Sequence, residues 1–336
     1  MIKLKAPSFW KKKSLSSKAL APIGRVYSFV SSSRHKISRV KKVDVPVICV
    51  GNVTVGGTGK TPICLALAKE FENPFYLTRG YGGKLSGVMV DSAEHSFKDV
   101  GDEALLLSKV APVVVNPNRV MGAKMAIEHG AKALIMDDGL QYPYLHKDIS
   151  FLVIDGVVGT GNDRAIPAGP LRESLKSALS RATAVIIVGG DQVGIRKKLP
   201  ESMPVLDGIL RVKEDQAQDL FKKRVVAFAG IGRPDKFFTT LEKIGCEMIE
   251  VFPYPDHYTY QDKEIEMMIA KAKETGSVLV TTTKDVVRLP DRFRSDVYVL
   301  EVEFAFKDEE ALRKVISDAL KKRVEEKKKK KKNGKK

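Results

Sequence analysis

Within the six residues Gly56-Gly57-Thr58-Gly59-Lys60-Thr61 the chain places three glycines, a lysine and two hydroxyls. The apolar run Val45 to Val50 precedes them and a helical pattern from Pro62 to Phe71 follows. A strand that turns through glycines into a helix gathers backbone N–H groups and the positive end of the helix dipole around one point, where a polyphosphate can sit. In such a loop Lys60 reaches the β- and γ-phosphates and Thr61 puts its hydroxyl on Mg²⁺, so ATP and Mg²⁺ are the expected ligands of residues 54 to 61. The first glycine of the G-x-x-x-x-G-K-[ST] pattern is replaced by Thr54. A plain glycine-rich turn is the alternative, but the strand-to-helix context favours the phosphate loop.

Several other groups bear on the same chemistry. Ala133-Leu134-Ile135-Met136-Asp137-Asp138-Gly139 is a buried-type strand ending in two carboxylates, where a phosphate-loop protein keeps the aspartate that holds its metal. Alone, Asp-Asp-Gly would read as a strand-ending turn. Gly101-Asp102-Glu103 opens an apolar helical run. Capping explains acids there, yet phosphorylating a hydroxyl needs a group to take its proton, and Asp102 is a candidate. His257 sits in the Pro-bounded loop Tyr254-Pro255-Asp256-His257-Tyr258 after a strand, the usual ligand position in α/β sheets. Arg79 and Arg172, in two Gly-rich loops, have the fork geometry to hold an anionic substrate.

The elements that must position these groups alternate. Phe75 to Thr78, Val113 to Asn116, Ala133 to Asp137, Ser150 to Asp155 and Ala184 to Gly189 read as strands; Leu105 to Val110, Arg119 to His129 and Leu171 to Leu179 read as helices. Continuous Val/Ile-rich strands imply a mainly parallel sheet covered on both faces, an α/β fold of phosphate-loop type. A second alternating series runs from Val225 to Thr283, with strands Val225 to Ala229, Met248 to Phe252 and Ser277 to Thr283 and helices Pro234 to Ile244 and Gln261 to Lys273. Leu206 to Val212 and Val297 to Phe304 bracket it and are expected to pair as a two-stranded connection. The expected organisation is therefore basic helices over 1–42, a phosphate-loop domain over 43–205, a smaller α/β domain with its linker over 206–305, a helix over 306–323 returning to the first domain, and a disordered lysine-rich tail over 324–336.

The net charge of +17 belongs to the ends: residues 1 to 42 carry +12 and residues 321 to 336 carry +9, leaving about −4 between them. Two polybasic ends suit an anionic membrane surface better than a nucleic-acid groove, so no nucleic-acid partner is expected. Phe9, Trp10, Leu15 and Leu20 lie among lysines, and Ile23, Val26, Tyr27 and Val30 repeat at helical spacing. Both stretches read as amphipathic helices with a basic rim; the first has the composition of a membrane-interfacial helix, while docking on the domain core is the plainer reading of the second. No run of eighteen apolar residues and no secretory h-region occurs, so neither spanning nor export is expected. Cys49, Cys64 and Cys246 lack metal-ligand spacing and read as reduced thiols of a cytosolic setting.

Taken in order, Gly56 to Pro62, Arg79-Gly80-Tyr81-Gly82-Gly83, Val100-Gly101-Asp102-Glu103-Ala104, Asp137-Asp138-Gly139-Leu140-Gln141, Pro167-Ala168-Gly169-Pro170-Leu171-Arg172-Glu173, Ala229-Gly230-Ile231-Gly232-Arg233-Pro234 and Pro255-Asp256-His257 closely resemble the tetraacyldisaccharide 4'-kinase family. These enzymes of Gram-negative bacteria phosphorylate the 4'-hydroxyl of the lipid A disaccharide. The resemblance implies that Lys60 and Thr61 bind ATP and Mg²⁺, that Asp137 and Asp138 serve the metal, and that Asp102 is the base with His257 as its partner across the interdomain cleft. It also implies that Tyr81, Gln141, Arg172 and Glu173 lie near the glycolipid headgroup, and that the protein is peripheral on the cytoplasmic face of the inner membrane. Two positions depart from the family pattern: Tyr142 stands for the usual His, and Thr283 for the usual Glu of Thr-Thr-Glu-Lys-Asp. The rival expectations are a membrane-associated switch ATPase and a soluble kinase of a small metabolite; the first is told apart by its acceptor, water, and the second leaves the basic ends without a role.

Overall fold

The computed structural model describes residues 7–12 and 14–333. Eight strands of the first series are β1 (Val47–Asn52), β2 (Pro74–Thr78), β3 (Val88–Met89), β4 (Val113–Val115), β5 (Ala133–Asp137), β6 (Ile149–Asp155), β7 (Ala184–Val188) and β8 (Val205–Val212). A second series gives β9 (Arg224–Ala229), β10 (Glu247–Pro253), β11 (Val278–Thr282) and β12 (Tyr298–Leu300), followed by β13 (Val302–Phe306). They form a nine-stranded sheet in the order β13-β8-β7-β6-β1-β5-β2-β4-β3 and a four-stranded sheet in the order β10-β9-β11-β12. Every pairing is parallel except at the two edges of the larger sheet, where β3 and β13 run antiparallel.

The reason is visible in β1, β5, β6 and β7, whose residues are buried throughout. Ile48 and Val50 pack into the apolar cluster on one face of the large sheet, Val47 and Cys49 into the cluster on the other, as the period of two demands. The first of these clusters continues through Ala104 and Leu107 to Val286, Leu289, Tyr260 and Phe228 in the smaller lobe. Apolar packing therefore joins the lobes beside the site. All three cysteines are free thiols.

Four expectations need correction. First, Val297 to Phe304 is not one strand. The chain switches sheets at Glu301, so that β12 completes the small sheet and β13 the large one. The half of β8 up to Gly208 pairs with β7, while Ile209 to Val212 pair with β13 alone, so the two-stranded ribbon is an outgrowth of the large sheet. Second, the helix expected from Leu171 begins at Leu175. Leu171 instead bridges Thr54 and Ala165, Arg172 N–H donates to the Val53 carbonyl and Val55 N–H to the Pro170 carbonyl, which ties this segment to the entry of the phosphate loop.

Third, the first N-terminal stretch is docked rather than free, and the second docks by its small polar face, through Gly24, Ser28 and Ser32, rather than by its apolar one. Phe9 and Trp10 fall in a short 3₁₀ turn, Ser8–Trp10, that is docked: Trp10 Nε1 donates to the Pro167 carbonyl and the Asn162 amide to the Phe9 carbonyl. The long helix Ala21–Ile37 leaves Ile23, Val26, Tyr27, Phe29 and Val30 exposed. Residues 1–6 of this region lie outside the described residues. Fourth, the last helix does not stop near Arg323 but runs Glu309–Asn333. Arg323 pairs with buried Asp148 and donates to the Val43 and Asp44 carbonyls, Lys327 donates to the Asp44 carbonyl, and Glu326 pairs with Lys42, so the helix is strapped beneath β1 through residues assigned to the disordered tail. Residues 334–336 of that expectation lie outside the described residues.

Candidate active site

The carboxyl ends of β1 and β5 lie side by side in the middle of the large sheet, where crossovers leave in both directions and a crevice opens. Gly51 is needed there because a Cβ on it would sit 2.4 Å from Cβ of Leu140, so only glycine lets the loop after β5 pack against the end of β1. The helix Lys60–Ala68 starts at Gly59, whose φ of +82° is open to glycine at no cost. A Cβ at Gly56 or Gly57 would meet nothing within 4 Å, so the tip of the loop faces open space.

Around this loop the carboxylates divide by environment. Thr61 Oγ1 donates to Asp137 Oδ2 at 3.1 Å. Asp138 lies 3.6 Å from Lys60 Nζ and takes two contacts from Arg172 Nη1, at 3.0 and 2.9 Å. Burial raises both acids, but Lys60 and Arg172 outweigh it at Asp138 and hold that carboxyl below its ordinary value. At Asp137 burial wins, reinforced by Glu103, and its pKa is raised to about 7. Its Oδ1 is buried with no hydrogen-bond partner, as is Thr58 Oγ1. A buried acid beside a loop hydroxyl, with one oxygen unpartnered and, among the described residues, no direct ion pair, fits a divalent cation shared with phosphate oxygens. Mg²⁺ is commonly held by one or two carboxylates plus the substrate rather than by a protein cage. Among the described residues no group of three or more His, Cys, Asp or Glu forms such a cage.

Asp102 begins the helix Asp102–Ser108 after Gly101, whose φ is +88°. Gly101 is the N-cap and no side chain caps this helix; Asp102, its first residue, accepts from Glu103 N–H through Oδ1 at 3.0 Å, and its Oδ2 takes His257 Nδ1 at 2.8 Å. Arg288 Nε is 3.9 Å from the same oxygen. Asp102 is only 4% exposed; burial pushes its pKa up, and the His257 hydrogen bond together with Lys284 and Arg288 pulls it below the ordinary carboxylate value. Asp102 is thus kept ionised without being paired bidentately, the state a proton acceptor needs. His257 is held in the left-handed region, φ +57°, by its own N–H on the Gly230 carbonyl, and the Tyr81 ring lies 5.6 Å from its imidazole. Asp138 shares that backbone conformation, φ +51°. A non-glycine residue there costs of order 1–3 kcal/mol, and such positions cluster where geometry is functional.

The structure brings together Thr54 to Thr61, Asp137, Asp138, Arg172, Asp102, His257 and Tyr81. Gln141 is nearby but committed, donating to the Asn52 carbonyl at 2.9 Å and to Glu173 at 3.2 Å. Glu173 is fully buried and saturated by Arg181, Ser177 and Gln141, which makes it a buried anchor for Arg181 rather than an open ligand. Tyr142 donates to Asn118 and packs on Tyr144. Thr283 opens a short helix, while Lys284 reaches back across the lobes to Glu103 at 2.9 Å.

Three charged groups escaped the sequence reading. Arg119 is buried near Asp137 and Asp138, and burial lowers its pKa to about 10. Asp155, at the end of β6 on the other side of β1, pairs with Arg233 and Lys236 of the smaller lobe. The rule that singled out Asp137, an acid ending a buried strand beside the loop, applies equally to Asp155. Arg288 is buried between the Gly230 and Tyr258 carbonyls and Asp285.

The family profile described as tetraacyldisaccharide-1-P 4'-kinase matches residues 16–321. A relative of that name from Rhodospirillum rubrum is 43% identical over 324 residues, covering 93% of this chain and 97% of its own. Another from Gluconacetobacter diazotrophicus is 42% identical over 318 residues, with the same coverages. Among solved structures, the "apo" form of LpxK from Aquifex aeolicus in complex with ATP superposes with a TM-score of 0.74 at 28% identity, covering 90% of this chain and 99% of that one. Two lobes, a phosphate loop, a strand-end aspartate pair and an aspartate–histidine contact are thus found on a chain that belongs to the tetraacyldisaccharide-1-P 4'-kinase family.

Proposed function

We propose that this protein transfers the γ-phosphoryl group of ATP to the 4'-hydroxyl of tetraacyldisaccharide 1-phosphate in lipid A biosynthesis, working from the cytoplasmic face of the inner membrane. The observation that carries the reading is the 2.8 Å contact between Asp102 and His257, which places a buried, ionised carboxylate from one lobe under a histidine from the other, on the rim of a phosphate loop. Asp102 Oδ2 accepts the proton of the acceptor hydroxyl, whose oxygen bonds to the γ-phosphorus as the bond to the β,γ-bridging oxygen breaks and ADP leaves with that electron pair. His257 orients Asp102 and stabilises its charge. Lys60 and the loop N–H groups of residues 56 to 61 offset charge on the phosphates, and Thr61 and Asp137 are the residues that would hold Mg²⁺. When bound, the cation neutralises β- and γ-phosphate oxygens. Arg172, with Tyr81 at the mouth, faces the anionic headgroup.

Membrane attachment is read from the exposed face of the helix Ala21–Ile37. Val26 is 64% exposed and Phe29 74%, on a helix that also carries Arg25. Apolar residues next to bases are the composition of a helix lying in the headgroup region. Among the described residues no helix is long and apolar enough to cross a bilayer, so a peripheral attachment by this face is the proposal.

The test is phosphate transfer from labelled ATP and Mg²⁺ to the tetraacylated disaccharide 1-phosphate in detergent micelles, the product identified by mass. A monophosphorylated increment that disappears in Lys60→Ala is the expected result. Free phosphate without lipid product, from folded enzyme, would turn the reading to a switch ATPase.

A further inference from the structure

Between the lobes, beside the loop that carries His257, lies a second charged junction that the mechanism above does not use. Arg233 comes from the loop after β9, the loop that also carries Gly230 and Gly232. Its Nη2 donates to the carbonyl of Gly57, at the tip of the phosphate loop, at 2.9 Å and is paired with Asp155 at the end of β6. The backbone is equally close: a Cβ on Gly232 would lie 3.7 Å from Gly57 N. The smaller lobe thus lays an arginine on the loop whose amides are built to receive phosphates.

Three features separate this arginine from a simple strut. Asp155 does not depend on it, because Lys236 Nζ reaches the same Oδ2 at 2.8 Å and keeps the carboxylate paired. Among the described residues, the side-chain hydrogen bonds of Arg233 all use Nη2, so Nε and Nη1 of its five-donor fork are available to phosphate oxygens. Its side chain is also about a third exposed, unlike the 1% exposed Arg288, so it can swing without opening the core.

We propose that Arg233 is a further catalytic residue: a cis-acting arginine, delivered by the smaller lobe, that leaves the Gly57 carbonyl when the nucleotide seats and binds the phosphates as the phosphoryl group moves. The inference rests on the kinase reading. The transferring group carries its charge on three equatorial oxygens, and a planar guanidinium meets such oxygens in pairs where a lysine meets one. No extra reactant is required: the bonds made and broken are those of the transfer itself, and Arg233 neither gains nor loses a proton. Closure of the lobes then completes the site twice, with His257 over the base and Arg233 over the nucleotide.

The test compares Arg233→Ala with Lys236→Met. The second removes an ion pair to the same Asp155 but touches no part of the phosphate loop, so it reports what the junction is worth as a strut. Arg233→Ala should lower kcat by roughly 10²–10³, the usual cost of a lost charge-stabilising donor, and Lys236→Met should not. A readout independent of turnover is trapping of ADP with aluminium fluoride, Mg²⁺ and the lipid acceptor, which mimics the transferring phosphoryl. Wild type and Lys236→Met should retain trapped nucleotide and Arg233→Ala should lose it, while its Kd for ATP moves by less than about tenfold. Equal losses in both variants would make the junction a strut, and normal trapping with normal kcat in Arg233→Ala would remove the arginine from the chemistry. Wild-type protein that makes no phosphorylated lipid would instead sink the kinase reading beneath it.

Discussion

Replacing His257 tests whether the two lobes share one catalytic unit. Asp102 holds its Oδ1 on Glu103 N–H, and its Oδ2 depends on His257 at 2.8 Å, with Arg288 Nε at 3.9 Å. In His257→Ala that oxygen keeps only the longer ionic contact. A hydrogen bond to a charged group is worth about 1.5–3 kcal/mol, so kcat should fall by about 10- to 150-fold if the bond is needed in the transition state. Asp102→Ala, which removes the base, should lower kcat by about 10²–10⁴. Because the histidine acts through the aspartate, the double variant should be no slower than Asp102→Ala, giving a coupling energy equal to the whole His257 effect. The pH profile adds a signed check. Burial is the largest influence on Asp102 and raises its pKa, and His257 is the first of the groups that reverse it. Without His257 the acid limb of kcat/KM must therefore move to higher pH. The assay is initial-rate transfer to the lipid acceptor from pH 4.5 to 9. Multiplicative losses in the double variant, or an acid limb that stays in place, would refute the idea of a shared unit.

Two further outcomes follow from the burial pattern. The folded pKa of Asp137 is raised to about 7 from an ordinary 3.8, so the nucleotide-free protein loses stability as pH rises from about 4 through about 7, where the unfolded chain ionises this acid and the folded one resists. At pH 8, Asp137→Asn should raise the melting free energy of the empty protein by at most about 4 kcal/mol while abolishing transfer, and an unchanged or lower Tm would show that the acid is already compensated. On the outer helix, Val26→Glu with Phe29→Glu should weaken binding to anionic vesicles by roughly 10- to 100-fold in a sedimentation assay, since both side chains are exposed and neither supports the fold. Undiminished sedimentation would move the membrane contact elsewhere.

The parts of the site that sequence made legible are those whose signal is local. Gly-Lys-Thr between strand and helix, and Asp-Asp at a strand end, each carry their reading within a few residues, and the structure sets the two segments side by side at the ends of β1 and β5. Asp102 and His257 each had a local reading as well, but 155 positions separate them and only the family resemblance joined them. Asp155 with Arg233 had no such help: its contact spans 78 positions and crosses the lobes. Periodicity announced that Ile23, Val26 and Val30 share a face, yet a periodic pattern states that a face is apolar and not what covers it. The lysine tail misled in the opposite sense. Composition offers residues 327–333 no apolar surface to bury, but a helix once started propagates cheaply, and the one begun at Glu309 is anchored by Arg323 on Asp148 just before them. The switch at Glu301 was hidden because the apolar run Val297 to Leu300 passes into the alternating Val302 to Phe304 with no Gly or Pro between them, while the partner sheet changes.

That switch also orders the protein's manufacture. β8 emerges from the ribosome with only its first half, Val205 to Gly208, paired to β7, while the residues that pair with the edge at Gly208 to Val212, Val302 to Phe306, are made about ninety residues later, after the entire smaller lobe. At ordinary elongation rates the edge stays bare for roughly 5 to 20 s. During that interval it is a strand template open to a neighbouring chain, and the smaller lobe must fold on a ribbon with only one of its two strands in place. The last strand thus acts as a closing stitch: until it is laid down the large sheet remains one strand short, and the final helix, which straps the base of β1, has not been made.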